Sequence, residues 1–433
     1  MFDLKIDLFD AQWNSFRSGI STLLFFGVSQ SALTSFARVR GSYAHLLAQL
    51  TTGIAFVTAL HGYRIIFTLG IVTANYFLGN RLSGKTLIVA TWVFNLAVLV
   101  LVSGTGETWS IPYLSFRGMS GWSHTFNMLM LKLISFNVDR AESKDSVDFS
   151  PLSYLAYCFY SPLFLAGPIM SYTSWKESLV STRPSPFSIF QYAGRWLLSF
   201  ILLEILLHVS YANAISAYKP SMVLQQVDSF ALGISLSVAV LVFMWLKFLL
   251  IWRFFRFWSL LNGIDCPENM KRCVFNNYSM VQFWKDWHSS FNIWLVRYVY
   301  IPLGGSRRNR FFNVLVVFVF VALWHDLTLR VFQWAFLVVA IMIPELVCTS
   351  VYRTKLALIR NTLPGRLLKS LFATCNTYFL VLANMVGYVF GIDGVGVLMS
   401  NVHVKISEVF ITFCTLYCFV TIMLWLEERR TTK

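Results

Sequence analysis

The stretch that decides the fold runs from Phe283 to Asp326 and reads FWKDWHSSFNIWLVRYVYIPLGGSRRNRFFNVLVVFVFVALWHD. It contains two histidines in similar settings, His288 directly after Trp287 and His325 directly after Trp324. The run from Phe311 up to the second histidine is almost wholly apolar. Ionisable side chains in or beside membrane segments are costly, and they usually serve a function. The stretch therefore predicts a helical membrane protein whose chemistry centres on two histidines.

The composition extends this prediction to the whole chain. Of 433 residues, 57% are hydrophobic and only 13% are charged, whereas a soluble domain has about a quarter charged residues. Apolar runs long enough to cross lipid recur from end to end, which is typical of a polytopic helical membrane protein. We expect about ten to twelve transmembrane and re-entrant helices. With no long polar segment, the chain is expected to form one membrane domain over residues 1–433.

The charge distribution indicates topology more than binding. The net charge is +15, and the basic residues stand mostly in short connections between apolar runs, where they orient the helices in the membrane. Some of them could also hold an anionic cosubstrate such as coenzyme A. No basic surface accompanies a soluble fold, so nucleic acid is not an expected partner. The seven cysteines show no zinc-site spacing, and no metal is expected.

Several segments are predicted to be bent or broken inside the membrane domain. Pro162 and Pro168 interrupt the apolar run 154–172, and lipid does not tolerate the carbonyls that proline frees. That run is therefore expected to be buried in protein or to face a cavity. The segment 117–139 is apolar but interrupted by polar groups, and it is expected to lie at the membrane interface or to line a polar cavity. The run 46–78 contains three glycines that could serve bending or close packing, Gly53, Gly62 and Gly70.

Other apolar runs contain features that need a partner or a bend. The first, 23–36, is short for a full span and is expected to be bent or interfacial. Two later spans contain the charged residues Glu204 and Lys247. Each of these is expected to pair or to extend towards the membrane surface, with a substrate role as the less favoured interpretation.

The two histidines suggest a particular kind of chemistry. A buried neutral imidazole is the usual general base for deprotonating a hydroxyl, and a second polar group can orient the substrate or stabilise an oxyanion. A lone histidine on an apolar face is more often a hydrogen-bonded core residue than a catalyst. Metal binding by the histidines with Asp286 or Asp326 is less favoured, because neither HxxxH nor HExxH spacing is present.

The segment FWKDWHSSFNIWLVRYVYIPLGGS, followed by WHD, resembles the signature of the membrane-bound O-acyltransferase (MBOAT) family. The resemblance is dense over Asn262 to Glu345, and weaker over LKLISFNVD (131–139) and SPLFLAGPIMSY (161–172). It is closest to the branch that holds the Gup-type proteins and Hedgehog acyltransferase. Ser289 stands where the sterol and diacylglycerol acyltransferases have Asn, which argues against that branch.

The resemblance implies a fold and a set of roles. The fold would be a ring of helices around a tunnel, with a catalytic core at about 117–347. His325 would be the base, and His288 would be the second active-site residue, which is an aspartate in the Hedgehog branch. Near the tunnel, as supports or substrate contacts, the resemblance places Asp286, Trp287, Arg297, Trp324, Asp326 and Pro168. Cys273 stands at a place that in the Hedgehog branch resembles a haem-ligating cysteine; a structural or lipidated thiol is the favoured interpretation, and haem as a cofactor is the alternative.

The function implied is transfer of a long-chain acyl group from acyl-CoA to a lipid hydroxyl in the endoplasmic reticulum membrane. Gup-type relatives imply remodelling of the glycosylphosphatidylinositol (GPI) anchor, with lyso-GPI as the acceptor. One alternative is a protein N-acyltransferase of the Hedgehog type. Another is a glycerol and proton transporter, which does not explain the Trp-His pairs and lacks the internal repeat common in transporters.

Overall fold

The computed structural model describes residues 5–105, 108–110, 122–143, 147–217, 230–359, 361–401 and 406–431. Within these ranges the regular structure is helical, and no strand is found. The beginning of the predicted catalytic core, residues 117–121, lies outside the described residues. The helices in chain order are α1 (Ala11–Val39), α2 (Ser42–His61), α3 (Ile65–Arg81), α4 (Gly84–Thr105), α5 (Trp122–Glu142), α6 (Pro151–Cys158), α7 (Tyr172–Ser178), α8 (Pro186–Val209), α9 (Ala212–Ala217), α10 (Phe230–Leu261), α11 (Met280–Asp286), α12 (Ser289–Leu295), α13 (Arg310–His325), α14 (Leu329–Thr354), α15 (Leu363–Asn384), α16 (Gly391–Asn401) and α17 (Ile406–Thr431).

Eight helices of the described chain are long and apolar enough to cross a membrane. They are α1, the nearly continuous pair α2 and α3, α4, α8, α10, α14, α15 with the π-turn that follows it, and α17. This confirms the prediction of an all-α polytopic membrane protein. Helix α13 is apolar but spans only residues 310–325, so it is shorter than these eight. It carries His325 at its end rather than crossing as a long span.

The first helix is longer than its apolar run predicted. Asp10 caps α1 by accepting a hydrogen bond from the backbone N–H of Trp13 at 2.7 Å, and side-chain caps of this kind favour helix initiation. Further along α1, the buried Gln30 amide donates to the hydroxyls of Thr52 and Ser161. The helix extends to 29 residues, so the expectation of a short bent segment was wrong.

The glycines of the run 46–78 serve different purposes. A side chain on Gly53 would overlap the backbone carbonyl oxygen of Phe159, so α2 approaches the end of α6 as closely as the backbone permits. Gly62 has φ 58° and begins the 3₁₀ turn that separates α2 from α3. Gly70 faces open space. The predicted close packing and bend are therefore found at the first two positions.

The proline-containing run is broken and buried, as predicted. Helix α6 ends at Cys158, a 3₁₀ turn follows at Ser161–Leu163, and the backbone is irregular until α7 begins at Tyr172. The Lys132 ammonium, on the buried helix α5, donates to the carbonyls of Tyr157 and Cys158 at 3.0 and 3.3 Å. These are C-terminal carbonyls of α6, which a helix leaves without internal partners.

The two charged residues predicted within spans are paired. Glu204 of α8 accepts hydrogen bonds from Arg17 of α1, at 2.9 Å from Nε. Lys247 of α10 lies 2.7 Å from Asp10. Partnered charges of this kind are tolerated in a membrane domain, so the pairing expected for both residues is found. Lys247 also lines the large cavity described below.

Candidate active site

Both histidines line one large cavity in the second half of the chain. The cavity has a volume of about 2340 Å³, more than twice the roughly 1,000 Å³ at the upper end for drug-sized pockets. Its walls come mainly from α10 to α15 and from α17, and most of the side chains are apolar. A long apolar chain and a second substrate can therefore be accommodated together.

His288 stands at a sharp elbow between α11 and α12. Its backbone lies in the left-handed region, with φ 46° and ψ 48°, a conformation that is uncommon for residues other than glycine and concentrates at functional sites. Asn269 holds the elbow, because its backbone carbonyl accepts from Ser289 N–H at 3.0 Å and its side chain accepts from Ser290 N–H at 3.2 Å. The strained position is therefore fixed by the loop before α11.

Aromatic rings enclose the imidazole of His288. The ring of Trp252 on α10 stacks on it, with a centroid distance of 4.3 Å and an angle of 14° between planes. Phe291 and Trp324 lie 5.2 and 6.2 Å from it between centroids. The Nε2 atom is buried and has no hydrogen-bond partner among the described residues. Stacking thus fixes the ring plane while this nitrogen remains available for a substrate.

His325 is the last residue of α13, and its ring has exposed surface in the cavity wall. The neighbouring Trp324 is tied to Asn127 of α5 by two reciprocal hydrogen bonds. Asn127 Nδ2 donates to the Trp324 carbonyl at 2.6 Å, and the Trp324 indole N–H donates to the Asn127 carbonyl at 2.8 Å. The end of α13, and with it His325, is therefore fixed against α5.

The cavity brings together four of the residues singled out in the sequence: His288, His325, Trp287 and Trp324. Asp326 follows the end of α13, is exposed, and is not part of the cavity wall. Pro168 is buried outside the wall, although the next residue, Ile169, donates its N–H to Ser290 Oγ at 2.8 Å. The proline segment thus supports α12 from behind.

Asp286 and Arg297 form ion pairs outside the cavity wall. The buried Asp286 carboxylate accepts from Gln282 at 2.8 Å and lies 3.4 Å from Arg272. Arg297 donates to the buried carboxylate of Asp139 at 2.7 Å. Asp139 also accepts from Tyr298 and Thr173, so this cluster connects α5, α7 and the π-turn after α12. Both residues stabilise the surroundings of the site rather than facing the cavity.

The surroundings of Cys273 do not fit a haem site. Its thiol is exposed, and the residue precedes a single 3₁₀ turn. Over the described residues, no group of three or more histidine, cysteine and acidic side chains is placed to hold a metal ion. The structure thus gives no support to a haem assignment.

A polar cluster closes one end of the cavity wall. Arg272, in the loop before α11, lies 3.3 Å from Glu427 near the end of α17, and the Tyr278 hydroxyl donates to Glu427 at 2.9 Å. Burial, assisted by the Glu427 charge, raises the pKa of Tyr278 to about 12, so this hydroxyl is protonated at neutral pH. The cluster ties α17 to the loop that leads to His288.

Sequence reasoning missed three residues of the site. Trp252 and Phe291 surround His288, and Asn127 anchors Trp324. The sequence around Trp252 is dense in aromatic residues, WRFFRFW over 252–258, which indicates packing but not a partner. Walls formed by α15 and α17 were also missed, because their apolar residues look the same whether they face lipid or a cavity.

The described fold is an all-α membrane domain with eight helices long and apolar enough to span a membrane. The family model described as MBOAT, membrane-bound O-acyltransferase family, matches residues 42–384, which is more than half of the chain. The chain therefore belongs to this family, as the sequence resemblance implied.

Individual relatives agree with this assignment. The chain is 30% identical over 481 aligned residues to membrane-bound O-acyltransferase GUP1 of Saccharomyces cerevisiae, covering all of this chain and 84% of that protein. It is 31% identical over 449 residues to membrane-bound O-acyltransferase gup1 of Schizosaccharomyces pombe, covering 91% and 75%. A shorter match, 30% over 245 residues, is to protein-cysteine N-palmitoyltransferase HHAT of Mus musculus, covering 54% and 48%.

Proposed function

We propose that this protein transfers a long-chain acyl group from acyl-CoA to the hydroxyl of a lipid in the endoplasmic reticulum membrane, with lyso-GPI as the acceptor. The proposal rests on one observation: His288 and His325 line the same large, mostly apolar cavity. Two similar proteins are described as membrane-bound O-acyltransferases, which supports a hydroxyl group as the acceptor.

The proposed reaction has one chemical step. His325 takes the proton from the acceptor hydroxyl, whose oxygen attacks the carbonyl carbon of the thioester. The new C–O bond forms as the C–S bond breaks, and the coenzyme A thiolate recovers the proton from His325. No covalent acyl-enzyme is formed, so no nucleophilic side chain is required.

His288 is assigned a supporting role in this step. Its free Nε2 atom is available to hydrogen-bond a reacting oxygen, and it is held in place by the stacked Trp252. Fixed polar groups in a cavity without water stabilise developing charge more effectively than mobile ones. The apolar walls would hold the acyl chain.

The first experiment tests the base. Purified protein with labelled palmitoyl-CoA and lyso-GPI should transfer the label to the lipid, and His325→Ala should reduce turnover by about 10²- to 10⁴-fold, the usual contribution of a general base. His208→Ala is the control, because His208 binds the backbone carbonyl of Glu204 and does not line the cavity. Near-normal turnover by His325→Ala would refute the assignment.

The acceptor is tested separately. The match to HHAT makes a protein N-terminus the second candidate acceptor, so lyso-GPI and an N-terminal cysteine peptide should be offered to the same preparation. Label on the lipid alone supports the proposal. In parallel, cells that lack the protein should accumulate lyso-GPI, which lipid mass spectrometry would detect.

A further inference from the structure

Two arginines that do not line the cavity come close to each other. They are Arg38, at the end of α1, and Arg183, in the connection between α7 and α8. Both approach Gly263: a side chain placed on this glycine would lie 3.0 Å from Nε of Arg183 and 3.2 Å from Nη1 of Arg38. Both arginine side chains therefore lie close to Gly263 and close to each other.

Neither charge is neutralised by a carboxylate within ion-pair distance in the part of the chain that the structure describes. One Arg38 nitrogen, Nη2, lies 3.2 Å from Nε2 of His45. Its Nε atom is buried without a hydrogen-bond partner. Like charges held together in this way repel each other, so an anion bound to both would be stabilised.

The only partner of Arg38 found in the described residues is neutral. His45 Nδ1 lies 3.0 Å from the Thr34 carbonyl, so it must carry the proton and donate. Its Nε2 atom then accepts from both Arg38 and the Gln49 amide, the latter at 3.0 Å. A histidine that accepts at Nε2 and donates at Nδ1 has no charge. His45 therefore orients the Arg38 guanidinium without compensating it.

Two neighbouring guanidinium groups suit a small tetrahedral anion. Gly263 has φ 78° and no side chain, so both arginine side chains can pack close to its backbone and to each other. Arginine presents its N–H donors in a planar fork that matches phosphate oxygens. Topology alone explains basic residues at a membrane boundary, but it does not explain two guanidinium groups held close together without a carboxylate.

The neighbourhood indicates where the phosphate comes from. Three apolar side chains near the two arginines in sequence are strongly exposed: Val39 at 89%, Tyr43 at 70% and Val180 at 88%. Exposed apolar residues beside arginines are typical of the lipid–water boundary, where phospholipid head groups lie. We propose that Arg38 and Arg183 bind a phosphate group at Gly263, supplied by the head group of a phospholipid.

The test measures thermal unfolding of the purified full chain in neutral detergent without phosphate. Dioctanoyl phosphatidic acid should raise the Tm of the wild type, whereas dioctanoylglycerol, which lacks the phosphate, should not. Arg183→Gln should raise the lipid concentration needed for half-saturation by about tenfold, which is the loss of affinity expected for one charged contact. Arg40→Gln is the matched control, since Arg40 lies at the same boundary but packs over the ring of Phe36 at 4.2 Å.

Arg183→Gln also separates the proposal from a structural role. Arg183 is exposed, so its replacement should leave the fold intact, and relief of the repulsion should keep the ligand-free Tm at or above that of the wild type. Inorganic phosphate tested alone distinguishes the source: saturation at the same concentration as the lipid would confirm the site but identify free phosphate as its ligand. Equal lipid-induced shifts in the wild type, Arg183→Gln and Arg40→Gln would overturn the proposal.

Discussion

The imidazole of His288 depends on the indole of Trp252 for its orientation. The two rings stack at 4.3 Å, and the imidazole Nε2 has no hydrogen bond to fix it among the described residues. Aromatic pairs contribute about 0.5–1.5 kcal/mol beyond their burial, and small displacements of a catalytic group can cost about 10²-fold in rate. The orientation of His288 is therefore expected to be sensitive to the ring at position 252.

Replacement of Trp252 by leucine should lower kcat for acyl transfer by about 10- to 100-fold, with a smaller change in KM. Trp252→Phe keeps a ring to stack on His288 and should recover most of the activity. Trp245→Leu, on the same helix but outside the cavity wall, serves as the control for lost helix packing. If Trp252→Phe were as impaired as Trp252→Leu, stacking would not be the property that matters.

At the scale of elements, the approach of α2 to α6 determines how the broken proline segment lies behind the site. Gly53→Ala should reduce stability by about 1–3 kcal/mol or more, because the added methyl overlaps a backbone carbonyl that cannot move independently. Thermal unfolding in detergent would measure this as a lower Tm.

The control for that substitution is Gly70→Ala in α3. A side chain at Gly70 meets open space, and alanine favours helix over glycine by about 1 kcal/mol. This variant should therefore be neutral or slightly stabilised. Equal loss of stability in both variants would show that general helix packing, rather than the contact with Phe159, is responsible.

At the scale of the whole molecule, composition and apolar runs were sufficient to predict the all-α membrane fold, because lipid allows few alternatives for spanning segments. The sequence motifs also identified both histidines as candidate site residues, and both line one cavity in the structure. Sequence could not reveal Asn127, which bonds Trp324 across 197 residues. Nor could the sequence show that Asp286 and Arg297 form ion pairs outside the cavity, whereas their neighbours in the chain line it. Such pairings depend on how distant helices meet, for which local patterns carry no signal.

The last helix, α17, forms one wall of this cavity, and its end is tied to the His288 loop through Glu427. Removing the charge in Glu427→Gln weakens the contact with Arg272. A partly exposed ion pair contributes up to about 1 kcal/mol, which corresponds to roughly a fivefold change in an opening equilibrium. Hydrogen exchange at the end of α17 should accelerate by up to this factor, while global stability changes little.

The matched control is Glu428→Gln, one residue along the same helix. Glu428 lies 3.9 Å from Arg366 and 3.8 Å from Lys369, so it faces the start of α15 rather than the loop that leads to His288. Faster exchange in the loop 271–279 should therefore appear in Glu427→Gln and be absent in Glu428→Gln. If both variants left that loop unchanged, the Arg272 and Tyr278 contacts would not couple α17 to the site. The wall would then be held by its apolar packing alone.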